Sequence, residues 1–457
     1  MRFWFIVLLV MVTAAGSWGQ QPSAADYASL QEAIDANPGK VVFVPQAVYE
    51  ISEPLHLTTE NSGLAGYGTI VQTDTDACIV AISNAKNVRI ESLTFTRPEN
   101  QQDCEDSGIE ITNSSNVMLK GVRLLDNRSQ HPGINIEDSR DCRVIESEVC
   151  NYKRVAIDDR TAEGQSLYGY AFFCIDGTGV AVKNSRGISL KNNRVVENNL
   201  LPTKKIKEQY QLGTLTEGKY PTNPGDLGRN AVSAGYVSNW HQGSAIIVTD
   251  PEVSRDILIS GNYIENCAQG IDLHCDYVRC TDNTVVGGMV GVKMTHGSKH
   301  LIVANNLLTR IDLWGIIYNP GAASHGVIPA TDDASEKPKN DDGGSVIANN
   351  IITEYGYGNE YWNWGGASSD QSGSYAIAFY DGQLPENPPL SDVLVTGNMV
   401  YDESSGDAGK TPRYRYAVFF GSWNTSENNT PNMPRNIKLY GNMFHPGTMG
   451  ISNMEIP

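Results

Sequence analysis

Positive charge is scarce in this chain of 457 residues: 34 Lys and Arg stand against 52 Asp and Glu, a formal net charge of −18. That balance excludes a nucleic-acid binder working by bulk charge. Beyond residue 19 no apolar run is long enough to cross a bilayer as a helix. The eight cysteines (Cys78, Cys104, Cys142, Cys150, Cys174, Cys267, Cys275 and Cys280) show no zinc-ligand spacing, so no metal site of that kind is expected. In an oxidising compartment they could form disulfides, but the sequence alone assigns no pairing. Charged residues make up only 19% of the chain, against 40% hydrophobic residues and 44 glycines. Disorder and collagen-like structure are therefore excluded, and a sizeable core joined by many tight turns is required.

The first nineteen residues read as a secretory signal. Arg2 supplies the positive start, Phe3 to Val12 the apolar stretch, and Ser17-Trp18-Gly19 the small residues before cleavage ahead of Gln20. The expected mature protein is secreted or periplasmic, with no membrane span.

An internal repeat organises the remainder, residues 20–457, into one expected domain. Asn193, Asn262, Asn283, Asn306, Asn350, Asn398 and Asn442 each sit in a phrase apolar-x-apolar-x-x-Asn-x-apolar, and Asn262, Asn283 and Asn306 are spaced by 21 and 23 residues. A second mark is a small residue opening a short alternating strand, at Gly108, Gly133, Ala156, Gly179, Ala245, Gly270, Gly291 and Gly315. Short strands at this spacing leave no room for crossover helices, so each must coil back onto the edge of the one before. The expected fold is all-β, a parallel β-helix, with alternate Ile, Val and Leu filling the bore. The Asn column would hydrogen-bond along the stack and supply left-handed turn residues. Open coil ends need caps. An amphipathic helix over Tyr27 to Ile34, followed by the strand Val41 to Pro45, fits that place. This helix-then-Val-Pro opening, with the repeat, resembles the pectate-lyase-like superfamily, which implies a right-handed parallel β-helix over nearly the whole mature chain.

Departures from the period mark insertions at about residues 200–242, 321–344 and 355–375. The first is long and carries Lys204, Lys205, Lys207, Tyr210, Tyr220 and Tyr236; the third carries Tyr357, Tyr361, Trp362 and Trp364. Insertions of solenoids cluster on the binding face, which makes the first a candidate groove wall or lid. The aromatics of the third fit either sugar stacking or a satellite core.

Outward positions of the strands form columns. Two residues after the small residue come Glu110, Asn135, Asp158, Ala181, Ile247, Asp272, Lys293 and Ile317; four after come Thr112, Glu137, Arg160, Lys183, Thr249, His274, Thr295 and Asn319. Adjacent members of a column lie about 4.8 Å apart. Two polar clusters result. One gathers Glu110, Asn135, Glu137, Asp158, Arg160 and Lys183; the other gathers Asp272, His274, Lys293 and Thr295. Of only 8 histidines in the chain, His241, His274, His296 and His300 fall near the second.

The phrase Gly270-Ile271-Asp272-Leu273-His274-Cys275-Asp276 resembles the Gly-Ile/Phe-Asp-Pro-His-Asp/Glu signature of the mannuronan C5-epimerases. Here Leu273 replaces the proline, Cys275 takes the second acidic place with Asp276 displaced by one, and Gln269 stands where some members have tyrosine. The resemblance implies chemistry at C5 of a uronate, either epimerisation or β-elimination. Residue chemistry agrees. Proton abstraction beside a carboxylate needs a base, a cation to neutralise the acid, and a second group for reprotonation or for the leaving oxygen. The expected catalytic set is His274 as base, Asp272 as its orienter and Lys293 as the neutralising cation. Substrate-binding candidates are Asp158, Arg160 and Lys183 on the strip, Trp240 and His241 at the end of the long insertion, and His296 in a turn. Tyr210, Tyr236 and His241 are candidates for the opposite-face acid.

Two other readings remain open. The pair Asp158-Asp159 resembles the paired aspartates of β-helical polygalacturonases, and with Glu137 or Asp176 could serve a glycoside hydrolase, although the phrases Asn-Thr-Asp, Gly-His-Gly and Arg-Ile-Lys are missing. A noncatalytic carbohydrate-binding or adhesin β-helix needs no acid–base set at all. The expected partner is a polysaccharide, acidic if Arg160, Lys183, Lys293, Lys299 and Lys204 to Lys207 line one groove; its binding would then weaken as salt rises. No cofactor is required by these readings. Calcium is a candidate at the oxygen-rich group Glu110, Asn135, Glu137 and Asp158. A monomer is expected.

Overall fold

The computed structural model describes residues 21–99, 103–129, 131–157, 173–197, 243–251, 253–295, 297–320, 342–354, 375–381, 389–402, 414–422 and 433–455. The chain is a right-handed parallel β-helix. One face is a 12-stranded sheet running from Val41–Val44 to Arg435–Tyr440, and a 21-stranded sheet forms the rest of the coil. The strands Tyr263–Leu273, Thr284–Thr295 and Leu307–Asn319 run continuously around the latter. Among the described residues no helix is long and apolar enough to cross a membrane. The signal segment lies outside them.

Alternation fills the bore. Ile109, Ile134, Val180, Ile246, Ile271, Val292, Ile316, Ile377 and Val418 stack in register through successive coils. Each is essentially inaccessible, and burial of such a side chain contributes roughly 1.5–3 kcal/mol. The residue opening each strand is small because the next coil leaves no space beside it. A Cβ at Gly291 would stand 2.5 Å from the Gly315 carbonyl oxygen.

The asparagine column is a continuous hydrogen-bonded ladder. Asn193 Nδ2 donates to Asn262 Oδ1 (3.0 Å), Asn262 to Asn283 (2.9 Å), Asn283 to Asn306 (3.0 Å), and so on through Asn350 and Asn398 to Asn442. Each Oδ1 also receives the backbone N–H of the preceding rung, and Ser147 N donates to Asn193 in the same way. The left-handed residue is one position earlier than expected, at Asn192, Gly261, Asp282, Asn305, Asn349, Gly397 and Gly441. The ladder asparagines are therefore held for their amides, not for a left-handed backbone.

The N-terminal end is capped as expected by a helix, Leu30–Asp35, with Ser29 Oγ accepting from Glu32 N and Leu30, Ala33 and Ile34 turned inward. One coil expected from the sequence does not exist. Ile134 pairs directly with Val180, whereas Arg154–Ile157 forms an antiparallel hairpin with Phe173–Asp176. The sequence spacing hid this because the hairpin excursion is almost one coil long. The described cysteines other than Cys174 are buried, and Cys78, Cys142, Cys275 and Cys280 are free thiols.

Of the three expected insertions, residues 200–242, 321–341 and 355–374 lie outside the described set. Gly343, Gly344 and Tyr375, placed by spacing inside insertions, instead belong to the coil strands Gly343–Ala348 and Tyr375–Tyr380.

Candidate functional site

Strand alternation turns Asp272 outward between the bore residues Ile271 and Leu273, and the register sets it beside Ile247 on one coil and Lys293 on the next. His274 follows Leu273 on the same outward side. The three side chains meet: His274 Nε2 lies 2.9 Å from Asp272 Oδ1, and Lys293 Nζ lies 3.1 Å from Asp272 Oδ2. Lys293 Nζ also donates to Gln269 Oε1 (3.2 Å), which ties the ammonium to the start of the same stretch.

The cluster is enclosed. Asp272 and His274 are buried, and 17% of the Lys293 side chain reaches the surface. Burial on its own would raise the Asp272 carboxyl, but His274 beside it and the Lys293 ammonium that donates to it hold it well below the usual carboxylate range. The result is an aspartate kept ionised in a site nearly without water.

The remainder of the motif diverges at the next residue. Cys275 points into the bore, where burial pushes its thiol well above the ordinary value, so it does not replace an acidic group of the site. Asp276 turns the corner onto the 12-stranded sheet and lies 2.6 Å from His300 Nδ1. His300 and Lys299 therefore belong to a different face from Asp272 and His274, contrary to the grouping read from spacing. Their strand starts after the turn, and a turn of unknown length cannot be placed by counting.

The first polar cluster is different in kind. Glu137 pairs directly with Lys183 in register, with Nζ to Oε1 2.8 Å, and both side chains are substantially exposed. A hydrogen bond and charge from Glu137 raise the Lys183 ammonium. Glu110 accepts from Asn135 Nδ2 (3.1 Å), and burial raises its carboxyl despite that bond. Asp158 and Arg160, with Trp240, His241 and His296, lie outside the described residues. With the hairpin in place of a coil, no strand carries Asp158 and Arg160 between Glu137 and Lys183. Among the described residues no three His, Cys, Asp or Glu side chains converge as metal ligands.

On the C-terminal side of Lys293 the outward face becomes aromatic. Lys293 is followed in register by Ile317, Ala378 and Phe419, and Trp314 by Tyr375 and Tyr416. The Tyr375 and Phe419 rings stack with centroids 3.8 Å apart. These side chains form an apolar cluster separate from the bore. Sequence reading missed it by ending the small-residue column at Gly315; Ala376 and Ala417 continue it.

No protein-family model matches the chain, and no curated protein matches it in sequence. Solved structures resemble it in fold. An alginate lyase covers 95% of this chain and 86% of its own at 11% identity, with a TM-score of 0.50. A Family 28 exopolygalacturonase of Yersinia enterocolitica covers 92% and 79% at 12% identity, also with a TM-score of 0.50. The A-module of an Azotobacter vinelandii mannuronan C-5 epimerase covers 95% and 100% at 12% identity, with a TM-score of 0.45. At these identities the likeness establishes the parallel β-helix fold and nothing finer.

Proposed function

We propose that this protein acts on an acidic polysaccharide, abstracting the C5 proton of a uronate at the Asp272, His274 and Lys293 cluster, as a lyase or C5-epimerase. The observation that carries the reading is the ionised, buried Asp272 bridging His274 and Lys293 on the outward face of the coil. A surface ion pair between coils has no need of a buried histidine as a third member.

The geometry suggests the roles. Lys293 is the member that reaches the surface, which suits it to meet the substrate carboxylate and neutralise charge that develops as the C5 proton leaves. Asp272 facing His274 Nε2 makes Nδ1 the nitrogen for the C5 proton. His274 is buried, so proton transfer to it requires the site to open. The aromatic cluster beyond Ile317 lies along the same face and would flank a bound chain. The sugar-acting neighbours in fold fit this reading without selecting among lyase, epimerase and hydrolase.

The test is proton NMR in D₂O with mannuronan, polyguluronate, polygalacturonate and glucuronans, comparing the parent with His274→Ala and Lys293→Gln. Deuterium at C5 or an unsaturated H4 signal that vanishes in both variants supports the reading. New reducing ends without either signal would replace it with hydrolysis, and no change on any polymer would leave a carbohydrate-binding β-helix.

A further inference from the structure

Where the outward strip turns into the 12-stranded sheet, three successive coils place an arginine at the same position. Arg140, Arg186 and Arg255 are joined in register by single parallel bridges, so their backbones lie about 4.8 Å apart along the coil axis. All three side chains are exposed. They line a groove of about 520 Å³ together with Ser115, Asn184 and Asp138.

Like charges directly opposite one another on neighbouring strands destabilise a sheet. Arg255 is partly compensated: its Nε lies 3.3 Å from Asp256, and its guanidinium sits 5.0 Å from the centre of the Tyr277 ring. Arg140 and Arg186 have no carboxylate within ion-pair reach among the described residues. Asp138, the acidic member of the lining, accepts a hydrogen bond from Asn184 Nδ2. In a chain with 52 acidic and 34 basic residues, a groove with three arginines and one aspartate runs against the composition.

Nor can the column relax by spreading. Beneath it Ser139, Ser185 and Ser254 form their own ladder, each Oγ accepting the backbone N–H of the serine one coil earlier, at 3.1, 3.0 and 3.2 Å. A rigid backbone thus holds cations at the coil repeat, a local conflict of the kind that marks binding sites.

We propose that this groove is a binding site for an acidic polysaccharide, whose successive carboxylates lie along the coil axis against Arg140, Arg186 and Arg255. It lies around a corner from Asp272 and His274, and it shares no residue with them. That the polyanion is a glycan rests on the function proposed above; that it is an anion rests on the groove alone.

The experiment measures binding of polymannuronate and polygalacturonate by calorimetry and affinity electrophoresis, using full-length protein with His274→Ala so that no polymer is consumed. Adding Arg140→Gln and Arg186→Gln should weaken binding at least about tenfold and flatten its salt dependence. Lysine at both positions should keep most of the affinity. The glutamine pair should melt no lower than its parent, since it relieves repulsion, which separates lost binding from lost folding. Undiminished binding by the glutamine variant overturns the site. Equal binding of single-stranded DNA at matched charge overturns its assignment to a glycan. Because binding is read without turnover, this site and the proposed chemistry can fail separately.

Discussion

Two ion pairs between neighbouring coils lie on the same outward face and differ chiefly in solvent. Glu137 and Lys183 are 2.8 Å apart with side chains 30% and 49% exposed; Asp272 and Lys293 are 3.1 Å apart with 5% and 17% exposed. The shorter pair is the weaker contributor, because water screens it and competes for both partners. The longer pair has lost that hydration, so each charge depends on the other and on His274. Distance alone would rank the two pairs the wrong way round; burial separates them.

The largest effect should follow from removing one member of the enclosed pair. Asp272→Ala leaves Lys293 uncompensated and should cost about 3–5 kcal/mol in urea unfolding, whereas Glu137→Ala should cost at most about 1 kcal/mol. Replacing Asp272 and Lys293 together by leucine and methionine should recover most of the loss in stability while activity stays absent. Equal costs at the two pairs would erase the distinction between them.

A neutral control comes next. Asn283→Ala breaks buried amide bonds to Asn306 and to the Ile259 carbonyl and should cost roughly 1–3 kcal/mol, more than Asn442→Ala at the less buried last rung. Ladder substitutions should leave the salt dependence of stability unchanged, which the ion pairs should not.

Acid should separate two carboxyls of one column. The folded-state Asp272 carboxyl titrates below its unfolded value, so its contribution is present above a pH of about 4 and is lost as pH falls through the lower folded value. Burial shifts Glu110 the other way, so acidification favours its folded form. Stability profiles of the parent should show the acid loss, and Asp272→Asn should not.

The smallest effect belongs to Glu110→Gln, which removes a desolvated charge and should raise stability near neutral pH by less than about 1 kcal/mol. A drop in stability there would show that Glu110 is held charged for a purpose.

Much of this was legible in the residues. Ile, Val and Leu at alternate positions and the asparagine ladder follow from local spacing, and both appear where counting placed them. Asp272, His274 and Lys293 were also reachable, since one strand and its immediate neighbour carry all three. Arg154–Ile157 was misplaced because a hairpin of near-coil length mimics the repeat, and His300 because it stands beyond a turn. The column Arg140, Arg186 and Arg255 was overlooked because it lies in turns and at the first residue of a strand of the 12-stranded sheet, outside the strands that supplied the columns.

The sequence by itself determined the coil: a repeat of 21 to 25 residues with inward aliphatics can close only on its own neighbours, and that is a local, additive property. Tertiary structure decided which outward groups share an environment. Register across an excursion, the direction a chain takes after a turn, and whether Asp272 meets water or Lys293 all depend on residues distant in sequence, and burial, not residue type, sets how much a charge is worth.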